Sequence, residues 1–593
     1  MPRTVSAIVR TRGMNPADPN ERRQRWTAAG LLIGLMILLL ALCGRLVHIH
    51  MAMGAKLTAL ADEQHEGASV IPARRGTVFD ARGRVVAMSR SAPDVYVDPF
   101  LVEDVDELAA ALSARLNRPA AEIADVLRQR SQARYVVIAE RVDEITAEAV
   151  RSLHLPAVGL NDRAERTYPL HSSMAHVLGW VGRDGHGLEG VERAFDEHLA
   201  GRDGRRGTLH DARRRVLRRA DSTAVSPLDG GHLVLTLDAE IQRITEEALS
   251  RSVTKFDAQS GVAIVLSPTD GEILAMACYP TFDPNEAFLP RDAALRRNRA
   301  VTDPVEPGST FKPIIACGAL DGGHVSATDK FDCHMGQHRF GSRLVTDTKP
   351  HGVMGLRDII IKSSNIGMGL IGERMGNAAL YEVVRRFGFG ERTGVQCPGE
   401  GSGVVRPFRQ WDSFSTTSIP IGYEILVTPI QLLSAFAGIV NDGLQVRPRV
   451  VKERLAPDGT LVEAFEAPEA VRRVASSEVA RYVAREMLTG VVEEGGGSAA
   501  KAGPYRVLGK TGTAKLAYPD RGGYEPGAYL GLFVGASPVD RPRIVVLVMV
   551  RRPNPKAGYY GGAVAAPVVG EIIERTLTYL QVPPDTLAKD TGL

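Results

Sequence analysis

Between Trp26 and Gly44 the chain reads WTAAGLLIGLMILLLALCG, 19 residues without a single charge. No other feature restricts the fold as severely, because such a run is long enough to cross a bilayer core as a helix. Ahead of it stand Arg3, Arg10, Arg12, Arg22, Arg23 and Arg25 against only Asp18 and Glu21. That imbalance predicts a cytoplasmic N-terminus and an extracytoplasmic location for everything beyond Arg45. A cleaved signal peptide would carry a shorter apolar region with a small-residue cleavage site behind it, and RLVHIHM follows here instead. The expectation is an uncleaved single-pass anchor over 26–44, a cytoplasmic tail over 1–25 and a large ectodomain.

At 593 residues the chain is too long for one ordinary domain and suggests two or three, and 44% hydrophobic with 24% charged residues is the balance of a folded chain. A net charge of +3 gives no global reason to expect nucleic acid as a partner. The five cysteines are scattered without metal-ligand spacing, which predicts small buried side chains rather than disulfides or a metal site. Residues 45–230 read as a mixed, irregular region that serves as a spacer and interaction domain. Thr77–Phe79 and Arg84–Met88 predict strands around a turn at Asp80-Ala81-Arg82-Gly83, and DELAAALSARL and AAEIADVLRQRS have helical periodicity. From about Gly231 the pattern changes. A strand (LVLTLD), a helix (AEIQRITEEALSRSV) and two strands joined by Thr269-Asp270-Gly271 precede a helical middle and further strands, YLGLFVGAS and RIVVLVMVRR. This predicts an α+β domain with an antiparallel sheet flanked by helices over 231–578, and a tail over 579–593.

Ser-x-x-Lys occurs three times, at Ser252/Lys255, Ser309/Lys312 and Ser498/Lys501, where chance alone predicts roughly two. Only Ser309 follows a Pro-Gly turn and leads into an apolar helix, in EPGSTFKPIIACGAL. A serine there meets free backbone N–H groups and the positive end of the helix dipole, and Lys312 one turn on shares its face. Desolvation would let that lysine act as a base. Downstream lie the chain's single Ser-x-Asn, Ser363-Ser364-Asn365, and its single Lys-Thr-Gly, Lys510-Thr511-Gly512, followed by Thr513. Each alone is weak, since Ser-Asn pairs cap helices and Lys-Thr-Gly makes turns. The three in this order are not a coincidence.

Ser-x-x-K, then S-x-N, then K-[ST]-G is the signature of the penicillin-binding proteins, which the chain resembles from Arg74 to about Glu574. RRGTVFDARGRVVAMS, RTYPLHSSMAHVLGWVGRDGHGLEGVE, VTPIQLLSAFAGIVNDG and YYGGAVAAPVVG resemble segments of the class B, monofunctional members. Val85–Phe100 and His176–Gly201 look more like the septal division branch, the penicillin-binding protein 3 type, than the elongation branch. Glu424 departs from the pattern, standing where the family usually has glycine. The resemblance implies D,D-transpeptidation: Ser309 is acylated by a D-alanyl-D-alanine stem peptide of peptidoglycan or its lipid-linked precursor, and an amine of a second stem resolves the acyl-enzyme. Lys312 would take the serine proton, Ser363 with Asn365 would relay a proton to the leaving amine, and Lys510 would keep Lys312 neutral. Thr511, Gly512 and Thr513 would bind the substrate, with the N–H groups of Ser309 and Thr513 as oxyanion hole. β-Lactams would acylate Ser309 as inhibitors. No metal or cofactor is implied. With no glycosyltransferase domain in the ectodomain, polymerisation would fall to a membrane partner, a SEDS-type glycosyltransferase, alongside other division proteins at the inner-membrane division site. An elongation-type transpeptidase, a D,D-carboxypeptidase or β-lactamase, and a β-lactam sensor or scaffold are the rival readings.

Overall fold

The computed structural model describes residues 19–53, 66–210, 216–286, 293–466, 472–518 and 520–585. Arg3, Arg10, Arg12 and residues 586–593 of the C-terminal tail lie outside the described residues. The chain divides into two compact units, Met1–Ile71 with Gly204–Ser226, and Pro72–Asp203 with Pro227–Leu593.

In the first unit a helix runs over Pro19–His48. Trp26–Met53 is long and apolar enough to span a membrane, and none of it is buried within the protein. Thirty residues of helix extend roughly 45 Å. The expected 19-residue span is therefore the apolar middle of a longer helix. The same unit holds a three-stranded antiparallel sheet of Glu66–Ile71, Gly204–His210 and Val216–Val225.

In the second unit one sheet has five antiparallel strands: β1 (Ser260–Leu266), β2 (Ile273–Tyr279), β3 (Leu508–Ala517), β4 (Tyr524–Ser537) and β5 (Ile544–Arg551), in spatial order β2-β1-β5-β4-β3. Gly271, with φ 74°, completes the expected β1–β2 turn. Successive side chains of a strand point to opposite faces, and here each face has its own core. Val262, Ile264, Val545, Leu547 and Leu532 join one apolar cluster, while Ala263, Val265, Val546, Val548 and Phe533 join the other. On the first side lie α2 (Lys312–Asp321), α3 (Asn365–Arg386) and α4 (Pro429–Val440). On the second lie α1 (Ala239–Lys255) and α5 (Ala566–Tyr579). A sheet buried on both faces needs apolar residues at every position, which is why β5 reads IVVLVMV. All twelve residues of α4 are buried as well, and a Thr428/Gln431 capping box starts it.

The two N-terminal helices form over Val105–Leu116 and Ala120–Gln129, as their periodicity predicts, and pack on a small sheet through Leu108, Leu112, Ile123 and Leu127. The turn between Val78–Phe79 and Val85–Ser91 is held by Asp80, whose carboxylate accepts the N–H groups of Arg82 and Arg84 (2.9 and 2.8 Å), with Gly83 at φ 78°. These strands belong to a six-stranded sheet in which His232–Leu235 runs parallel to Val78–Phe79 and antiparallel to Val451–Leu455. Beside it lies a buried ionic network. Glu192 receives Arg75 at 2.6 Å and Arg166 at 2.7 Å, and Arg75 also reaches Asp196 at 2.6 Å. Four of the five cysteines are buried and all are free.

Candidate active site

Ser309 sits in a single 3-10 turn, Gly308–Phe311, that precedes α2 rather than in the α-helix itself. Pro313 explains the difference. It has no N–H to give Ser309, so the carbonyl of Ser309 is taken by the N–H of Lys312 instead, which tightens the turn. Gly308 enters with φ 55°, and the Thr310 hydroxyl donates to the Pro307 carbonyl at 2.6 Å.

Lys312 is fully buried. Its Nζ donates to the Ser363 carbonyl (2.6 Å), to Ser363 Oγ (3.3 Å) and to Asn365 Oδ1 (2.9 Å). Lys510, buried as completely, donates to the same Ser363 Oγ at 3.0 Å and to the Thr511 carbonyl at 3.2 Å. One hydroxyl thus links two buried lysines. Burial lowers the pKa of Lys312 well below that of a free lysine, and the Lys510 charge lowers it further, against a smaller raising by Asp347. Burial alone brings Lys510 to about 7. Two ammonium groups cannot both be retained so close together without water, so the pair favours a neutral Lys312 beside a charge on Lys510.

Ser363 reaches this position because its backbone is left-handed, φ 59°, immediately before α3. Ser364 then caps the helix, accepting the N–H of Gly367 at 2.9 Å. The serine that caps the helix and the serine that contacts both lysines are therefore adjacent. Asp347 completes the clamp: its carboxylate accepts the Ser364 hydroxyl (2.5 Å) and the N–H groups of Asn365 (2.5 Å) and Ile366 (3.1 Å). Asn365 Nδ2 donates to the Thr346 carbonyl at 3.0 Å, which points Oδ1 at Lys312. Sequence reasoning gave Asp347 no role. It lies in a loop that only tertiary structure brings to α3.

Lys510 to Thr513 form no turn; they occupy the middle of β3, an edge strand. Thr511 and Thr513 are half-exposed, while Lys510 and Gly512 are buried, the alternation of a strand. A Cβ on Gly512 would stand 2.8 Å from Thr310 Cγ2 and 3.1 Å from the Pro307 carbonyl oxygen. Glycine here is what lets the strand lie against the Ser309 turn. Thr513 Oγ1 accepts the N–H of Gly561 at 3.1 Å, leaving its proton for another acceptor.

The other two Ser-x-x-Lys serines do different work. Ser252 is buried in α1 and donates to the Val564 carbonyl at 2.7 Å, and Ser498 is exposed in a separate 3-10 turn. Glu424, at the position where glycine was expected, adopts φ 65° and is held there by Arg406 and by the Ser415 hydroxyl at 2.9 Å. Among the described residues no group of three or more His, Cys, Asp and Glu could hold a metal ion.

Known proteins share this architecture. The model of the penicillin-binding protein transpeptidase domain matches residues 261–574, and that of the penicillin-binding protein dimerisation domain matches 70–235. The peptidoglycan D,D-transpeptidase FtsI of Escherichia coli is 31% identical, over 98% of this chain and 97% of that protein. The probable peptidoglycan D,D-transpeptidase PenA of Neisseria gonorrhoeae is also 31% identical, over 93% of each chain. The crystal structure of penicillin-binding protein 3 of Mycobacterium tuberculosis with aztreonam covers 87% of this chain and 98% of its own, with TM-score 0.67 and 29% identity. The chain belongs to the class B penicillin-binding proteins of the FtsI family.

Proposed function

We propose that the protein is a peptidoglycan D,D-transpeptidase that cross-links stem peptides through an acyl-enzyme on Ser309, in the service of septal wall synthesis. The observation that carries this reading is the convergence of Lys312 and Lys510 on the Ser363 hydroxyl, between the Ser309 turn and an open strand edge. A strand edge offers backbone donors and acceptors to an extended peptide. A stem peptide laid along β3 would place its terminal carboxylate near the hydroxyls of Thr511 and Thr513, with Lys510 adding positive charge.

Ser309 Oγ attacks the carbonyl carbon of the penultimate D-alanine as neutral Lys312 takes its proton. The N–H groups of Ser309 and Thr513 receive the oxyanion, each such donor contributing a few kcal/mol. The C–N bond then breaks, and the departing D-alanine amine acquires its proton through Ser363, held between the two lysines. The ester is resolved by an amine of a second stem peptide, which loses a proton through the same path. β-Lactams enter by the first half of this sequence and leave Ser309 acylated.

The arginine-rich N-terminus and the apolar helix support a single-pass inner-membrane protein with residues 1–25 in the cytoplasm. On this reading a pedestal (45–230) and a catalytic domain (231–578) lie outside, next to a membrane glycosyltransferase of the SEDS type and other division proteins. Mass spectrometry after exposure to a labelled penicillin tests the chemistry: the label should sit on Ser309, and label on Ser252 or Ser498 would refute it. Depletion tests the septal assignment. Cells should elongate without septating, and cells that round up while dividing would assign the enzyme to elongation.

A further inference from the structure

Three residues before the nucleophile stands Glu306, a carboxylate that the acyl-transfer scheme leaves without a task. It is half-buried on the rim of the Ser309 turn. The Tyr524 hydroxyl donates to both of its oxygens, at 3.0 and 3.2 Å, and the backbone N–H of Glu424 reaches it at 3.3 Å. All these donors are neutral, and among the described residues Glu306 has no ion-pair partner. Its carboxylate neighbour Glu424 does have one, in Arg406. Burial, above all, and the charge of Glu424 raise the pKa of Glu306, while the bonds from Tyr524 and the Glu424 N–H lower it. A half-buried carboxylate with no cation beside a reactive centre is a place where a cation gains by binding.

The surroundings fix where that cation would come from. Gly308 donates its N–H to the Gly422 carbonyl at 3.1 Å, so the loop Gly422–Glu424 braces the nucleophile turn from behind. Tyr423 packs edge-on against Tyr524 with ring centroids 6.0 Å apart. Tyr524 in turn pairs with Ala517, at the far end of the β3 edge from Lys510. A peptide docked on β3 with its scissile carbonyl at Ser309 therefore continues toward Glu306. Cross-linking through an amide requires stem peptides that carry a free side-chain amine, an ammonium at neutral pH, on the accepting strand and on an unreacted donor alike.

We propose that Glu306 docks the side-chain ammonium of a stem peptide next to Ser309. This rests on the transpeptidase reading and adds the feature of the substrate that the site selects. Donor and acceptor strands offer the same chemistry, and paired probes separate them. For the donor, an Nα-acetyl-lysyl-D-alanyl thioester is compared with its Nε-acetylated form. For the acceptor, Nα-acetyl-D-lysine amide, which presents an ammonium, is compared with methoxyamine, which is uncharged at neutral pH. The full-length protein in detergent micelles should prefer the cationic member of one pair. Glu306→Gln should lower that preference, read as a ratio of kcat/KM values, by roughly tenfold, the effect of one charge-assisted hydrogen bond. Glu306→Asp should restore part of it. Tyr524→Phe, which removes the strut and leaves the charge, should preserve the preference. Loss in the donor pair assigns Glu306 to the donor strand, and loss in the acceptor pair assigns it to the acceptor. Wild-type ratios near one in both pairs would overturn the proposal, as would a Glu306→Gln variant that slows both members of each pair alike. A Tyr524→Phe variant that loses the preference equally would reduce Glu306 to a brace for the turn. A wild-type enzyme that hydrolyses the thioester but transfers to no amine would refute amine acylation itself, and the donor pair would still decide on Glu306.

Discussion

Replacing Lys510 with methionine should make the protein more stable and nearly inactive at once. Lys510 is completely buried, and its pKa falls from the ordinary 10.5 to about 7. Each unit corresponds to about 1.4 kcal/mol, so the native state carries an electrostatic penalty on the order of 5 kcal/mol. Methionine has a similar shape and no charge. It gives up the bonds to Ser363 Oγ and the Thr511 carbonyl, worth about 1 kcal/mol each, which leaves a net gain of about 3 kcal/mol. The sign with pH follows from proton counts. Below pH 7 both folded and unfolded chains hold the proton and the penalty is complete. Between 7 and 10.5 only the unfolded chain holds it, so wild-type stability climbs with pH and the advantage of the variant shrinks by about 1.4 kcal/mol per unit. Urea unfolding of wild type and variant at pH 6, 7.5 and 9 reads this as midpoints that converge with rising pH. Without the Lys510 charge, Lys312 regains affinity for its proton, so penicillin acylation at neutral pH should fall at least ~10-fold. A variant less stable at pH 6, or a stability gap indifferent to pH, would refute the reasoning.

Three further outcomes are expected. Asp347→Asn removes a charge that raises the Lys312 pKa, so the acid limb of the acylation profile should move to lower pH; a stationary limb would exclude Asp347 from the electrostatics. Gly512→Ala pushes a Cβ to 2.8 Å from Thr310, and acylation should drop by roughly tenfold or more for a folding cost of about 1–3 kcal/mol, read by stopped flow and urea titration. Glu192→Gln leaves Arg75 with the partly exposed Asp196 alone and takes from Arg166 the carboxylate it pairs with, at a cost of about 3–5 kcal/mol in unfolding titrations; a change within 0.5 kcal/mol, the range of an ordinary surface substitution, would show that the network does not depend on the charge.

What could be read from the sequence was what repeats locally. The helices at 105–116 and 120–129 follow from their apolar period, the β1–β2 and Asp80–Gly83 turns from their glycines, and Ser309 from its Pro-Gly entry. The order of Ser309, Ser363 and Lys510 pointed to one site, and the fold brings Lys312, Ser363, Asn365 and Lys510 into hydrogen-bonding contact. What could not be read was what distance in the chain conceals. Asp347 and Glu306 are single acidic residues with no pattern around them, and each acquires meaning only from a partner on another element, α3 for one and Tyr524 for the other. The strand at Lys510–Thr513 was obscured by its own composition. Glycine is a poor strand residue, and only the Thr310 side chain packed against it explains why one is required. The buried Arg75–Glu192–Arg166 network was equally hidden among charges that resemble solvated ones.

The six-stranded sheet has a mechanical consequence. Its strands come from Val78–Ser91, Ala164–Thr167, His232–Leu235 and Val451–Ala464, so segments on both sides of residue 230 are woven through one hydrogen-bonded ladder. Shear between Pro72–Asp203 and the paired segments beyond Pro227 would have to break backbone bonds, unlike rotation about a linker. A protease or a chimaera junction acting at residue 230 would sever a fabric instead of separating modules, and Pro72–Asp203 should melt with the catalytic core in one transition. Whatever tugs on Pro72–Asp203 then reaches the segments beyond Pro227 through a lattice stiff enough to transmit orientation.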